Sequence, residues 1–267
     1  MTGKTDMLDF AREIARGAGR IILGGFRSDD TVVEYKSRTN LLTNMDRASE
    51  KFLFNEINRR YPDHAIIAEE GSRKDADGEY IWYVDPLDGT NNYAHGLPFF
   101  CVSLGIFSRS LDRVVAGVVY NPCLDELFTA AAGEGAALNG TDIRVSQTGD
   151  IGISVVATGF PYDKEDSEKN NLAEFNRILP RIQGIRRMGA AAIDLCYVAC
   201  GRLDGYWEQQ LSPWDTAGGS VIVEEAGGLV TRFDGSAFDP EYPQVLASNG
   251  KIHGQLMGLL NNDNKKE

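Results

Sequence analysis

The sequence predicts a layered α/β fold, built in two halves that meet near residue 145. Three observations predict it. Helical periodicity opens the chain, a block of β-rich runs follows, and helices then mix with strands without a strict βαβ alternation. At 267 residues the chain is long enough for one large domain or for two intimately packed halves, 1–145 and 146–267.

From Asp6 to Phe26, Leu8, Ala11, Ala15, Ala18 and Ile22 recur at three- and four-residue steps. They form one apolar stripe of a helix that Gly24-Gly25 ends. A second helix is expected from about Asn44 to Arg60, with Ala48, Phe52 and Leu53 inward and Y-P-D terminating it. Short β-rich runs come next: A-I-I-A-E-E, Y-I-W-Y-V, F-F-C-V-S-L-G-I-F and R-V-V-A-G-V-V-Y. The last two are joined by S-R-S-L-D as a hairpin. G-E-G-A-A-L from Gly133 has the outline of a dinucleotide fingerprint. Leu138 takes the third glycine's place, however, and Asn139-Gly140 turns at once, so a turn is expected.

Beyond Val145 the reading is a strand S-V-V-A-T-G-F, a polar loop P-Y-D-K-E-D-S-E-K-N-N and a helix to about Ile182. A small-residue helix A-A-A-I-D-L-C-Y-V-A-C capped by Gly201, a strand L-D-G-Y-W-E and a helix from about Trp214 to Ala226 follow. A strand V-L-A-S-N and a final helix close the order, and the tail N-N-D-N-K-K-E is expected to fray.

No apolar run approaches the ~20 residues of a membrane span, and M-T-G-K-T-D-M-L-D-F lacks a signal-peptide pattern, so a cytoplasmic protein without a membrane partner is expected. Acidic residues outnumber basic ones, 39 against 27, for a formal net charge of −12. That balance argues against binding a nucleic-acid backbone. Cys101, Cys123, Cys196 and Cys200 form no C-x-x-C pair and read as reduced thiols in apolar surroundings; with His64, His95 and His253 scattered, no zinc set emerges.

Carboxylates carry the chemistry. Glu69 and Glu70 end one apolar run, Asp85 and Asp88 end another around Pro86, and S-P-W-D-T-A-G-G places Asp215 at a helix start. Each has an ordinary alternative: a solvated strand end for the glutamates, a turn for D-P-L-D, an N-cap for Asp215. If the acids converge, mutual repulsion raises their pKa values or draws in a cation. Hard oxygen donors favour Mg²⁺, with Mn²⁺ acceptable. Carboxylates shared between two ions suit hydrolysis of a phosphate ester, one ion activating water and the other stabilising the leaving alkoxide. Gly89 and Thr90 open a helical turn whose amides are available to phosphate oxygens. The Thr90 hydroxyl either orients the water or caps that turn. An acid pair in a cleft also fits a glycosidase.

W-Y-V-D-P-L-D-G-T-N-N-Y-A-H together with W-D-T-A-G-G-S-V-I-V-E-E-A-G-G resembles the signature pair of the inositol monophosphatase family. K-S-R-T-N-L-L-T-N-M-D, I-I-A-E-E-G, G-E-G-A-A-L-N-G and R-R-M-G-A-A-A-I-D-L extend the resemblance over nearly the whole chain. It implies a five-layer α/β/α/β/α sandwich of the inositol monophosphatase and fructose bisphosphatase type. It also implies phosphomonoester hydrolysis dependent on two or three Mg²⁺ ions, lithium sensitivity and a homodimer. On matching positions, Glu69, Asp85 and the Leu87 carbonyl would hold a first metal, and Asp85, Asp88 and Asp215 a second. Glu69 and Thr90 would activate the water, with Asp46 supporting Thr90 and Lys36 near the metal loop. The Gly89 and Thr90 amides would bind phosphate, while Ala191 and Glu208 would meet substrate hydroxyls, with Asp88 and Asp215 also facing the substrate.

The implied substrate is a small phosphorylated polyol or sugar, inositol monophosphate first. Gln209-Gln210 departs from the apolar-glycine pair usual after Glu208. Relatives of the family act on fructose 1,6-bisphosphate, NADP, histidinol phosphate or phosphoadenosine phosphate, and a non-catalytic protein that docks a protein or RNA partner is the alternative of another class.

Overall fold

The computed structural model describes residues 2–262 and is mixed α/β. Of the tail 261–267 expected to fray, residues 263–267 lie outside the described residues, and Asn261 and Asn262 form a turn after the last helix. Helix α1 (Thr2–Gly25) buries Leu8, Ala11, Ala15, Ala18 and Ile22, the stripe read from the sequence. A two-stranded ribbon, β1 (Val33–Tyr35) and β2 (Leu41–Thr43), leads into α2 (Asn44–Arg60). Thr43 caps α2 in a reciprocal box with Asp46, an arrangement that contributes about 1 kcal/mol.

The inward face of α2 differs from expectation. Leu53 is buried, but Ala48 and Phe52 are only partly so, and the buried face is completed by Asp46, Ser49, Glu50 and Ile57. Phe52 instead lies against Gly17 of α1, where a Cβ would come within 2.5 Å of its ring. Polar groups occupy the inward face because their partners are the loops of the candidate site.

The first sheet contains β3 (Ala65–Ala68), β4 (Arg73–Lys74), β5 (Tyr80–Asp88), then, after the short helix α3 (Thr90–Ala94), β6 (Cys101–Ser108), β7 (Arg113–Asn121), β8 (Glu126–Ala131), β9 (Gly135–Leu138) and β10 (Thr141–Asp142). Its spatial order is β10-β9-β8-β7-β6-β5-β3-β4, antiparallel except for the β3–β5 pair. The β6–β7 hairpin is as expected. The turn expected from Gly133 ends sooner, because Gly135–Leu138 pairs with β8.

The second sheet begins with β11 (Val155–Thr158). Helix α4 (Leu172–Ile178) stops short of the expected 182, since Pro180 follows in a 3₁₀ turn. Then come β12 (Gly184–Arg186), α5 (Ala191–Ala199), β13 (Gly205–Gln209), α6 (Pro213–Glu225), β14 (Leu229–Thr231), β15 (Gln244–Ser248) and α7 (His253–Leu260). The order is β12-β11-β13-β15-β14, with β12, β11 and β13 parallel.

Helices α1 and α2 cover one face of the first sheet; α5 and α6 lie between the sheets, and α7 closes the far side with α4. Helix α6 sits directly on β6 and β7. A Cβ at Gly117 would fall 2.2 Å from the Gly218 carbonyl oxygen, and one at Gly105 2.5 Å from the Ala217 Cβ. This close approach is the physical use of the A-G-G in W-D-T-A-G-G, and it brings the start of α6 to the end of β5. The four cysteines are free thiols, Cys101 and Cys196 buried, Cys123 and Cys200 half-buried.

Candidate active site

Strand β5 runs into the site through the buried Trp82, Tyr83 and Val84. Its register with β6 shifts between Asp85 and Asp88, where Pro86 has no N–H to give to the ladder. Asp85 Oδ1 accepts the Leu87 N–H at 3.0 Å, and the Ser49 hydroxyl donates to the Pro86 carbonyl at 2.9 Å. The bulge thus puts two carboxylates three residues apart on a backbone tied to α2.

Gly89 follows with φ 90°, and a Cβ there would lie 2.7 Å from the Phe99 carbonyl oxygen, so both conformation and space require glycine. Thr90 does not cap α3. Its hydroxyl is directed at Asp46 Oδ1 at 3.0 Å and at the Leu87 carbonyl at 3.1 Å. Asp46 also accepts the Thr43 N–H at 2.8 Å and the Thr43 hydroxyl, and burial raises its pKa against those bonds.

Asp88 Oδ2 accepts the Ala192 N–H at 2.8 Å, at the start of α5. Asp215 is not the N-cap of α6. Ser212 holds that position, and Asp215, the third helical residue, accepts its N–H at 2.7 Å. Glu69 and Glu70 follow β3, and Lys36 Nζ reaches Glu69 Oε1 at 3.3 Å and Glu70 Oε1 at 2.5 Å. Beneath them Glu50 of α2 accepts the Glu70 and Ser72 amides at 2.6 and 2.9 Å.

One cavity of about 350 Å³ joins these groups. Glu69, Asp85, Leu87, Asp88 and Asp215 line one part of it, with Lys36, Gly89 and Thr90 beside them. Ala191 and Glu208 line it as well. Asp46 stands behind Thr90 rather than in the wall, and Glu70 is turned toward Lys36. Every site residue expected from the sequence is therefore in this cavity or in contact with its wall.

The acids repel one another. Burial first, then Glu69, Asp88 and Asp215, hold the Asp85 carboxyl well above its usual range. Burial pushes Glu69 up to about 8, Lys36 opposing and Asp215 adding, and pushes Asp215 up to about 8 with Asp88 adding. Asp88 rises to about 7 through burial, against the Ala192 amide. Lys36 beside Glu69, with Arg187 on the side of Glu208, leaves this charge unbalanced, and the donors are all hard oxygens, so the set fits Mg²⁺ or Mn²⁺. Among the described residues no three acid, histidine or cysteine groups are already closed on one point.

A profile of the inositol monophosphatase family matches residues 4–265. The chain belongs to the inositol monophosphatase family. It is 46% identical over 254 residues to inositol-1-monophosphatase of Synechocystis sp., covering 95% of this chain and 88% of that one. It is equally 46% identical, over 256 residues and 95% of both chains, to a protein of Pasteurella multocida called Nus factor SuhB. Among solved structures, the inositol monophosphatase of Anabaena (Nostoc) sp. PCC 7120 superposes with a TM-score of 0.87 at 42% identity, over 97% of this chain and 96% of that one. The layered sandwich and the phosphatase activity are those of this family, and the family implies dependence on a divalent metal.

The cavity wall also contains Tyr162 and Arg187, which the sequence did not single out, and Gln210, which it marked only as a departure from the family's usual glycine. Tyr162 lines the cavity from the polar loop, and the Thr39 hydroxyl donates to its carbonyl at 2.9 Å. Arg187 supplies a cation on the side of Glu208. Gln210, half of the Gln209-Gln210 departure, lines the cavity with φ 64°, the left-handed conformation that a glycine adopts at no cost. That φ is the signal the departure carried.

Proposed function

We propose that the chain hydrolyses phosphate monoesters of small polyols, converting myo-inositol 1-phosphate and water to inositol and phosphate. The observation that carries this reading is the single cavity in which four mutually repelling carboxylates stand with Glu208 and the start of α5. Glu69, Asp85 and the Leu87 carbonyl would hold one Mg²⁺, and Asp85, Asp88 and Asp215 a second; a third ion and substitution by Mn²⁺ are compatible with the same donors. When bound, such ions lower the pKa of water and neutralise charge on phosphoryl oxygens.

The chain's own groups orient the reaction. The Thr90 hydrogen is committed to Asp46 and Leu87, which leaves an Oγ1 lone pair to accept from the incoming water. Glu69 takes the water's second proton at the oxygen that Lys36 does not hold. The water oxygen bonds to phosphorus as the bond to the inositol oxygen breaks, and the inositol alkoxide takes up a proton from solvent while Glu69 returns the one it accepted. The Gly89 and Thr90 amides hold the phosphate, Ala191 and Glu208 the hydroxyls.

The test is phosphate release from inositol 1-phosphate, fructose 1,6-bisphosphate, NADP and histidinol phosphate, with and without Mg²⁺. Turnover that persists under strong chelation overturns the metal mechanism, and a preference for one of the other three esters moves the substrate within the family. Lithium inhibition in the same assay, a dimer by sedimentation and a cytoplasmic location complete the reading. No described helix is long and apolar enough to cross a membrane.

A relative whose name is that of a factor rather than an enzyme favours a second reading, a regulatory binding role. Capture of a partner that ignores Asp88→Asn would support it.

A further inference from the structure

Tyr206 and Glu208 stand two residues apart on β13 and share one face of the second sheet. Tyr206 is fully buried, and its Oη donates to Glu208 Oε2 at 2.6 Å. On another side the carboxylate lies against Gly159, where a Cβ would fall 2.0 to 2.2 Å from Oε2, Oε1 and Cδ. Gly159 is itself held. The fully buried Asn171 donates to the Gly159 carbonyl at 2.6 Å and to Thr158 Oγ1 at 2.7 Å, and accepts the Trp207 indole N–H at 2.7 Å. The charged groups facing Glu208 are Arg187, which favours its ionised form, and Asp88, Asp194 and Asp215, which oppose it.

We propose that Tyr206, with Gly159 as the floor, is a positioning residue that gives this enzyme its preference for hydroxylated substrates. The inference rests on the polyol phosphatase reading above and names the device that selects the polyol. A glutamate free to rotate would spend its carboxylate on water and lose rotamer freedom on binding. Here Oε2 already accepts from a buried phenol and Gly159 gives the group its seat, so the carboxylate is held in the cavity wall before the substrate arrives. An acceptor fixed in this way discriminates against an ester that has no hydroxyl to offer, because the acceptor positions that Tyr206 does not fill then stay unpaired.

The experiment compares kcat/KM for inositol 1-phosphate with kcat/KM for 4-nitrophenyl phosphate, which carries no free hydroxyl, in wild type, Tyr206→Phe and Gly159→Ala. The polyol-to-aryl ratio is expected to fall about tenfold in both variants, mainly through KM for the polyol ester. A ratio within twofold of wild type in both overturns the proposal, because a merely structural role would weaken the two esters alike. A second readout does not need turnover: the ¹³C carboxyl signal of Glu208 should titrate at higher pH in Tyr206→Phe, the ionised form having lost its donor. An unchanged midpoint overturns the contact. If wild type hydrolyses neither ester, the polyol phosphatase reading falls, and the carboxyl titration still decides the role of Tyr206.

Discussion

The Thr90 hydroxyl is directed at Asp46 Oδ1 across 3.0 Å, and Asp46 is held from its other oxygen by the Thr43 N–H at 2.8 Å and by the Thr43 hydroxyl. The capping box of α2 therefore fixes which way the Thr90 lone pairs point. Replacing Thr90 by Val keeps the shape and removes the acceptor for water. A fall in kcat of roughly 10²- to 10⁴-fold is expected. Thr90→Ser, which keeps the hydroxyl, should recover most of the rate. If Thr90→Val stays within tenfold of wild type, another group orients the water.

Glu50 bears on the metal loop in the same indirect way. Its carboxylate is buried and holds the Glu70 and Ser72 amides, so it sets the backbone that presents Glu69. Groups that orient ligands from behind typically change metal affinity about 10- to 100-fold when removed. Glu50→Ala is expected to raise the Mg²⁺ concentration for half-maximal activity by that factor, with kcat at saturating Mg²⁺ less affected. An unchanged Mg²⁺ requirement would show that the loop holds its place without this contact.

These two relationships mark how far the sequence could be read. D-P-L-D-G-T and W-D-T-A-G-G were legible because each is one contiguous strand end or helix start with its acids in place, and the fold class followed from the change of apolar period along the chain. Asp46 as a support for Thr90 came only with the family resemblance, since nothing within residues 43–46 points 44 residues downstream. Glu50, Tyr206 and Gly159 went unread for the same reason: their roles exist only where segments far apart in the chain meet. Apolar periodicity also misjudged α2, because its buried face is partly polar and satisfied by loop backbone. Strand β8 was passed over because its E-L-F-T-A-A lacks the run of branched and aromatic residues that marks β5, β6 and β7, its last residues being alanines.

The acid cluster makes stability depend on pH when no metal is supplied. Glu69 and Asp215 are pushed up to about 8 and Asp88 to about 7 in the folded chain, while the unfolded chain has ordinary carboxylates near 4. Raised folded values mean that this contribution to stability is present below about pH 4 and is lost as the pH climbs toward 8, where the unfolded state releases protons more readily. In chelator, Tm should therefore fall between pH 5 and 8, by roughly 5 °C or more. Mg²⁺ should restore it, and Asp88→Asn, which retains an acceptor for the Ala192 amide but carries no charge, should flatten the slope while abolishing turnover. A Tm in chelator that rises through this interval would refute the repulsion.

At Asp194 burial is the largest cause of a raised carboxyl, with the site acids Glu208 and Asp88 adding to it. It lies in the first turn of α5, is 1% exposed, and its Oδ1 has no hydrogen-bond partner. The helix N-terminus favours a negative charge there, but burial outweighs it and, with Glu208 and Asp88 nearby, holds the carboxyl well above its usual range. A raised folded value again places the stabilisation at low pH, with loss as pH rises above the ordinary carboxylate range. Asp194→Asn keeps the volume and cannot ionise, so it is expected to be the more stable protein at pH 8, by on the order of 1–3 kcal/mol, with the advantage shrinking toward pH 5. Chemical denaturation of both proteins across that interval measures the difference directly. A gap that stays constant with pH would mean that Asp194 does not change its charge on folding.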